Sequence, residues 1–246
     1  MASSKFLTAE WRKLIMINYK IDPSVLLPYL PAKTELDYWN NNCYVSLVGF
    51  MFQNVRVRVK GIKIPFHINF PEVNLRFYVR YKDKSNPVTE EWKRGVVFIS
   101  EIVPKPAISF IANTLFHENY STLPMKFSWS NDDKENVQVS YSWKKNNHWN
   151  KMEVIASSAA HPLVTGSEEE FITEHFWGYS AFSKDKTSEY HVVHPRWDIY
   201  PVKSYVLDCG FEGLYGNSFA FLTNKEPASV FLAEGSAIEV FQKRMR

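Results

Sequence analysis

The chain has 246 residues, 45% of them hydrophobic and 16% aromatic, and a formal net charge of +3. Eighteen Phe, thirteen Tyr and eight Trp supply ample core material and favour strands over helices. So mild a charge implies neither nucleic acid nor an anionic membrane as partner. The two distant cysteines, Cys43 and Cys209, exclude a zinc ribbon or disulfide framework, and no apolar run is long enough to span a bilayer.

Trp11 to Tyr19 reads as a first strand with an apolar centre. Asp22-Pro23 is a helix start, with Asp as N-cap and Pro at the first helical position, and Pro28 and Pro31 hold the helix to a turn or two. Asn40-Asn41-Asn42 predicts a turn into a buried strand from Cys43 to Phe52. Asn54 to Lys60 alternates, placing Arg56, Arg58 and Lys60 on a solvated basic stripe that also discourages edge pairing. Lys82 to Lys93 reads as a polar loop, Gly95 to Val103 as a strand, and Pro104-Lys105-Pro106 as its break.

Ile108, Ile111, Ala112, Leu115 and Phe116 form a helical stripe. Met125 to Ser130 and Val137 to Trp143 flank Asn131-Asp132-Asp133 as a hairpin, and Lys151 to Ser157 extends the meander. Ser167 to Glu170 is a capping box opening a helix through Phe171, Ile172, His175 and Phe176 to a close at Gly178. Further short strands are expected at Glu189 to Val193, Ile199 to Asp208, Ser218 to Leu222, Ser229 to Leu232 and Ile238 to Phe241. With no linker, repeat or low-complexity tract, residues 1–246 read as a single, mainly β (α+β) domain with a few short helices. Met1 to Glu10 lacks the apolar centre of a signal peptide, so the expected location is the cytoplasm.

The stretch Phe70 to Tyr81 is the most informative. Period two sends Val73, Leu75, Phe77 and Val79 to one face and Glu72, Asn74, Arg76, Tyr78 and Arg80 to the other. If the second face looks into a barrel, Arg76 and Arg80 suit a carboxylate or phosphate and Glu72 can exchange a proton. The competing reading is an internal ion pair with no ligand. His194 and Trp197, in His194-Pro195-Arg196-Trp197, are further ligand candidates. No H-E-x-x-H, Gly-rich phosphate loop or G-x-S-x-G elbow occurs, and neither metal nor cofactor is expected.

Several motifs together resemble a known family. They are Trp11-x-x-Leu14, Asp22-Pro23-x-x-Leu26, Leu36-Asp37, Pro71-Glu72-Val73-Asn74-Leu75-Arg76-x-Tyr78-Val79-Arg80, Gly95-Val96-x-Phe98, Phe171-Ile172-Thr173-Glu174-His175 and Val193-His194-Pro195-Arg196-Trp197. They look like the YqjF-like family of uncharacterised conserved proteins, which is similar in fold to acetoacetate decarboxylase. That resemblance implies an antiparallel β-barrel or cone around an internal pocket. In the decarboxylase a lysine forms a Schiff base. The position it implies here is Lys105, with Glu101 as the acidic partner, but the adjacent second lysine is absent and Lys20 stands where the decarboxylase has an arginine. The leading expectation is a protein that binds a small anionic molecule, a carboxylate or keto acid, inside the barrel. A lyase using Lys105 and a homo-oligomeric interaction scaffold are the alternatives.

Overall fold

The computed structural model describes residues 4–57, 68–84, 90–116, 118–130 and 134–246. Its strands are β1 (Lys5–Ile21), β2 (Thr34–Leu36), β3 (Cys43–Val57), β4 (Phe70–Asp83), β5 (Glu91–Val103), β6 (Tyr120–Thr122), β7 (Met125–Ser130) and β8 (Asn136–Lys145). They continue as β9 (His148–Ser157), β10 (Trp177–Ser183), β11 (Lys186–Val193), β12 (Ile199–Tyr200), β13 (Val202–Asp208), β14 (Ser229–Phe241) and β15 (Arg244–Met245). The short helices are α1 (Pro23–Leu26), α2 (Pro106–Ile111), α3 (Glu168–Thr173) and α4 (Phe211–Tyr215). Among the described residues, no helix is long and apolar enough to cross a membrane.

The main sheet runs β14-β1-β3-β4-β5-β10-β11 and closes on itself where Val192 and Val193 of β11 pair with Val240 and Glu239 of β14. Neighbours in the ring are antiparallel except β5 and β10, which run parallel. Its two faces have different fates. Ile15, Ile17, Val45, Leu47, Val73, Leu75 and Phe77 pack outward against a second sheet, β13-β9-β8-β7, through Val139, Tyr141, Trp143, Met152 and Val154. The opposite face encloses a smaller apolar cluster containing Leu14, Met16, Val48, Phe50, Tyr78, Phe171 and Trp197. The alternation in β4 thus separates the main core from the ring interior.

Asp22 caps α1 as expected, accepting from the Ser24 N–H at 2.8 Å, and Asn40 and Asn41 adopt positive φ in the predicted turn. Other elements differ from expectation. Lys82, Asp83, Glu91, Trp92 and Lys93 are strand rather than loop, because β4 and β5 pair all the way to Asp83↔Glu91. Helix α3 stops at Thr173, and Gly178 sits in β10 instead of closing a helix. Residues 217–224 form a 3₁₀ helix where a strand was expected, with Phe219 and Leu222 buried on one side. The two expected terminal strands are one, β14. Arg58, Lys60, residues 85–89 and the Asn131-Asp132-Asp133 turn lie outside the described residues.

Candidate functional site

A cavity of ≈190 Å³ lies within the ring. Aromatic and aliphatic side chains such as Trp11, Phe50, Phe52, Phe98 and Val240 make most of its wall. Its polar groups come from adjacent strands in register. Asn74 of β4 pairs with Glu101 of β5, and Glu101 pairs with Tyr120 of β6, so three polar side chains stand in one row. Glu72, two residues from Asn74, shares that face. Glu118, two residues before β6, joins them.

The hydrogen bonding in this cluster is uneven. Glu72 accepts from Asn74 Nδ2 at 3.0 Å on Oε1 and from the Tyr120 hydroxyl at 3.1 Å on Oε2. Among the described residues, Oε2 of Glu101 and Oε1 of Glu118 are buried without a hydrogen-bond partner. Burial pushes the Glu72 carboxyl up, opposed by the Asn74 and Tyr120 hydrogen bonds and by Arg76. Burial and the neighbouring carboxyls push Glu101 well above the usual range. Burial and Glu72 push Glu118 the same way, with Lys243 opposing. Three carboxyls in low dielectric do not all ionise together, so the cluster retains protons near neutral pH.

Arg76 lines the cavity while only 8% exposed. One terminal nitrogen donates to the Ile172 carbonyl at 3.2 Å, a carbonyl left over at the C-terminal turn of α3. Its Nε has no hydrogen-bond partner among the described residues. Beyond Arg76, Tyr78 packs on the rings of Phe171 and His175, with centroids 5.3 and 4.8 Å away, and α3 covers the strand. Arg80 consequently falls outside the cavity. It pairs with Glu35 at 3.2 Å and lies 4.3 Å over the Trp92 ring.

Two histidines line the same space. His175 Nε2–H donates to Asp37 Oδ2 at 3.1 Å, which makes Nδ1 the acceptor nitrogen, buried and unpartnered among the described residues. Arg94 Nε reaches the same carboxylate oxygen at 2.7 Å. Burial pushes Asp37 up, but the hydrogen bonds from His175 and Arg94 outweigh it and hold the carboxyl below its usual range. His194 Nδ1–H donates to the Pro195 carbonyl at 2.9 Å, and its ring stacks on Trp197 at 4.3 Å. Burial draws both histidines down to about 4, against the hydrogen bonds that favour their charged forms, so both are neutral at pH 7. Trp197 is fixed by a 2.9 Å hydrogen bond to Ser236 Oγ.

Of the expected site residues, Glu72, Arg76, Glu101, His194 and Trp197 meet at this cavity. Arg80 does not, and neither does Lys105, which is half-buried at the N-cap of α2 while Ala107 and Ile108 of that helix face the cavity. Lys20 is exposed at the end of β1. Sequence reasoning missed Glu118, Tyr120 and Tyr190, which enter through the parallel β5–β6 pairing and the close approach of β10 and β11. The Tyr190 ring lies over Gly178, where a Cβ would come within 2.1 Å of it.

Residues 8–237 match the DUF2071 family of uncharacterized conserved proteins. The uncharacterized protein YqjF of Bacillus subtilis strain 168 is 31% identical over 137 residues, which are 56% of this chain and 50% of YqjF. The chain thus spans about half the length of that curated relative. Acetoacetate decarboxylase from Legionella pneumophila superposes with a TM-score of 0.64 at 13% identity, covering 99% of this chain and 88% of that one. The enduracididine biosynthesis enzyme MppR complexed with pyruvate gives 0.69 at 10% identity, covering 100% and 91%. An acetoacetate decarboxylase-like enzyme from Sphingomonas wittichii RW1 gives 0.66 at 12% identity, covering 99% and 94%. At such identities the likeness is one of fold alone. The chain belongs to the DUF2071 family of uncharacterized conserved proteins and carries an acetoacetate-decarboxylase-like, mainly β fold.

Proposed function

We propose that the ring interior binds a small organic acid, with Arg76 taking the carboxylate. The observation that carries this reading is a buried guanidinium on a largely apolar cavity, its Nε unpaired among the described residues. A buried donor without a partner is costly, and a carboxylate supplies the planar acceptor that a guanidinium matches. The nearby Glu101 and Glu118 carboxyls do not oppose an anion while burial keeps them protonated; in that form they donate hydrogen bonds. Their ionisation at higher pH reverses this, so affinity falls as the cluster loses its protons. The pyruvate complex of MppR makes short 2-keto acids the natural first probes.

A thermal-shift screen against short carboxylic and 2-keto acids tests the reading. A ligand present at about 100 times its Kd adds roughly 2.7 kcal/mol to the folded state. Arg76→Met should abolish the shift and leave the folded spectrum intact, and the wild-type shift should shrink from pH 6 to pH 8.5. Equal affinity in Arg76→Met overturns the reading.

A further inference from the structure

The paired carboxyls beside Arg76 ask for more than a passive cavity. Glu72 and Glu101 are each 2% exposed, occupy adjacent strands, and both contact the Tyr120 hydroxyl. Two carboxyls sharing one hydroxyl lie close enough to reach neighbouring atoms of one small molecule. Their hydrogen bonding makes them unequal. Burial lifts both carboxyls, but Glu72 accepts a hydrogen bond on each oxygen and has the Arg76 charge nearby, and all three oppose that lift and ease its ionisation. Glu101 has a buried oxygen with no partner among the described residues and two other carboxyls beside it, an environment that favours its acid. An acid and a base set on one wall of a water-poor cavity are the elements of proton transfer at carbon. No lysine lines the cavity among the described residues; Lys243 acts on Glu118 from outside that lining.

We propose that Glu72 and Glu101, bridged by Tyr120, interconvert the keto and enol forms of a short 2-keto acid whose carboxylate Arg76 holds, with no covalent bond to the protein. The Glu72 carboxylate removes a proton from C3. The C–H electron pair becomes the C2=C3 double bond, and the carbonyl π pair takes the proton of the Glu101 acid, giving the enol. Return of a proton to C3 and of the hydroxyl proton to Glu101 restores the keto acid. The cycle consumes no oxidant, reductant or co-reactant. This inference rests on the organic-acid reading above.

The test is exchange of the C3 hydrogens in D2O, followed by ¹H NMR, using the short 2-keto acid that gives the largest thermal shift. Acid–base catalysis of this kind contributes about 10²–10⁴-fold, and exchange should exceed the protein-free rate by at least about 100-fold. Glu72→Gln and Glu101→Gln are near-isosteric; at saturating keto acid each should lose most of the exchange, whatever the size of its thermal shift, with Tyr120→Phe falling between. Borohydride quenching should leave the protein mass unchanged. A bound keto acid that shows no accelerated exchange overturns the proton-transfer inference and leaves the binding reading standing. Exchange that survives both Gln substitutions, or a reducible lysine adduct, overturns the assignment to these carboxyls. If no 2-keto acid binds, the inference falls, and a thermal shift from another organic acid decides the binding reading separately.

Discussion

His194 is held between aromatic rings and one backbone carbonyl, and that setting makes it a sensor of acid rather than of neutral pH. Its ring stacks on Trp197 at 4.3 Å and lies 4.8 Å from Phe176, and burial draws its pKa to about 4 from an ordinary 6.5. The unfolded chain therefore binds a proton in the window between 6.5 and about 4 that the folded chain refuses. The associated stability is complete above 6.5 and is lost as pH falls towards 4. His194→Gln removes this linkage. Its melting temperature should start below wild type at pH 7.5, through lost stacking, and fall less steeply towards pH 4.5; parallel curves would overturn the assignment. Legibility at this scale follows strand periodicity. Alternation along β4 exposed Glu72 and Arg76 as neighbours on one face because both lie on a single regular strand. Glu118 and Tyr120 carried no such signal: they follow a helical turn and meet Glu72 only through pairing between β5 and β6.

Strands β1 and β14 show how one residue can hide an element. Gly235 breaks the apolar pattern of β14, which is why Ser229 to Leu232 and Ile238 to Phe241 read as two strands. In the structure it opposes Arg12 at φ +79, beside a register shift in β1 where Lys13 also has positive φ. A Cβ at Gly235 would fall 2.0 Å from the Trp11 carbonyl oxygen. The strained backbone alone costs roughly 1–3 kcal/mol, and the clash adds to it. Gly235→Ala should lower the urea midpoint at unchanged m-value, the shift multiplied by m amounting to at least that much, and a stability within error of wild type would show that the bulge relaxes freely. Trp11 lines the cavity, so the same substitution should also weaken ligand binding. The helical elements erred for a different reason. The capping box located the start of α3, with Glu170 N–H donating to Ser167 Oγ at 3.1 Å. Its end was set at long range, by the contact of His175 with Asp37, which no local pattern encodes.

At the scale of the molecule, the ring and the four-stranded sheet share one core, and this sharing decides how the chain unfolds. Val139, Tyr141 and Trp143 of β8 are each fully buried against residues of the ring. Tyr141 also donates to the Lys13 carbonyl at 2.9 Å, satisfying a backbone group freed by the irregularity in β1. The second sheet therefore completes the wall that positions the cavity from behind. The sequence supplied the strands of that meander through their alternation, but nothing local revealed which face of the ring they would cover. That choice follows from β4 itself, whose Val73, Leu75 and Phe77 need an apolar partner on the side away from Arg76. We expect one cooperative unfolding transition, with fluorescence, backbone circular dichroism and loss of ligand binding sharing a midpoint. Trp143→Ala removes a large buried side chain, typically about 3–5 kcal/mol, and should move all three midpoints together although it lies in the other sheet. A variant in which the ring retained its binding midpoint while the second sheet melted early would divide the chain into two folding units. It would also remove the second sheet from any account of how the cavity is held in shape.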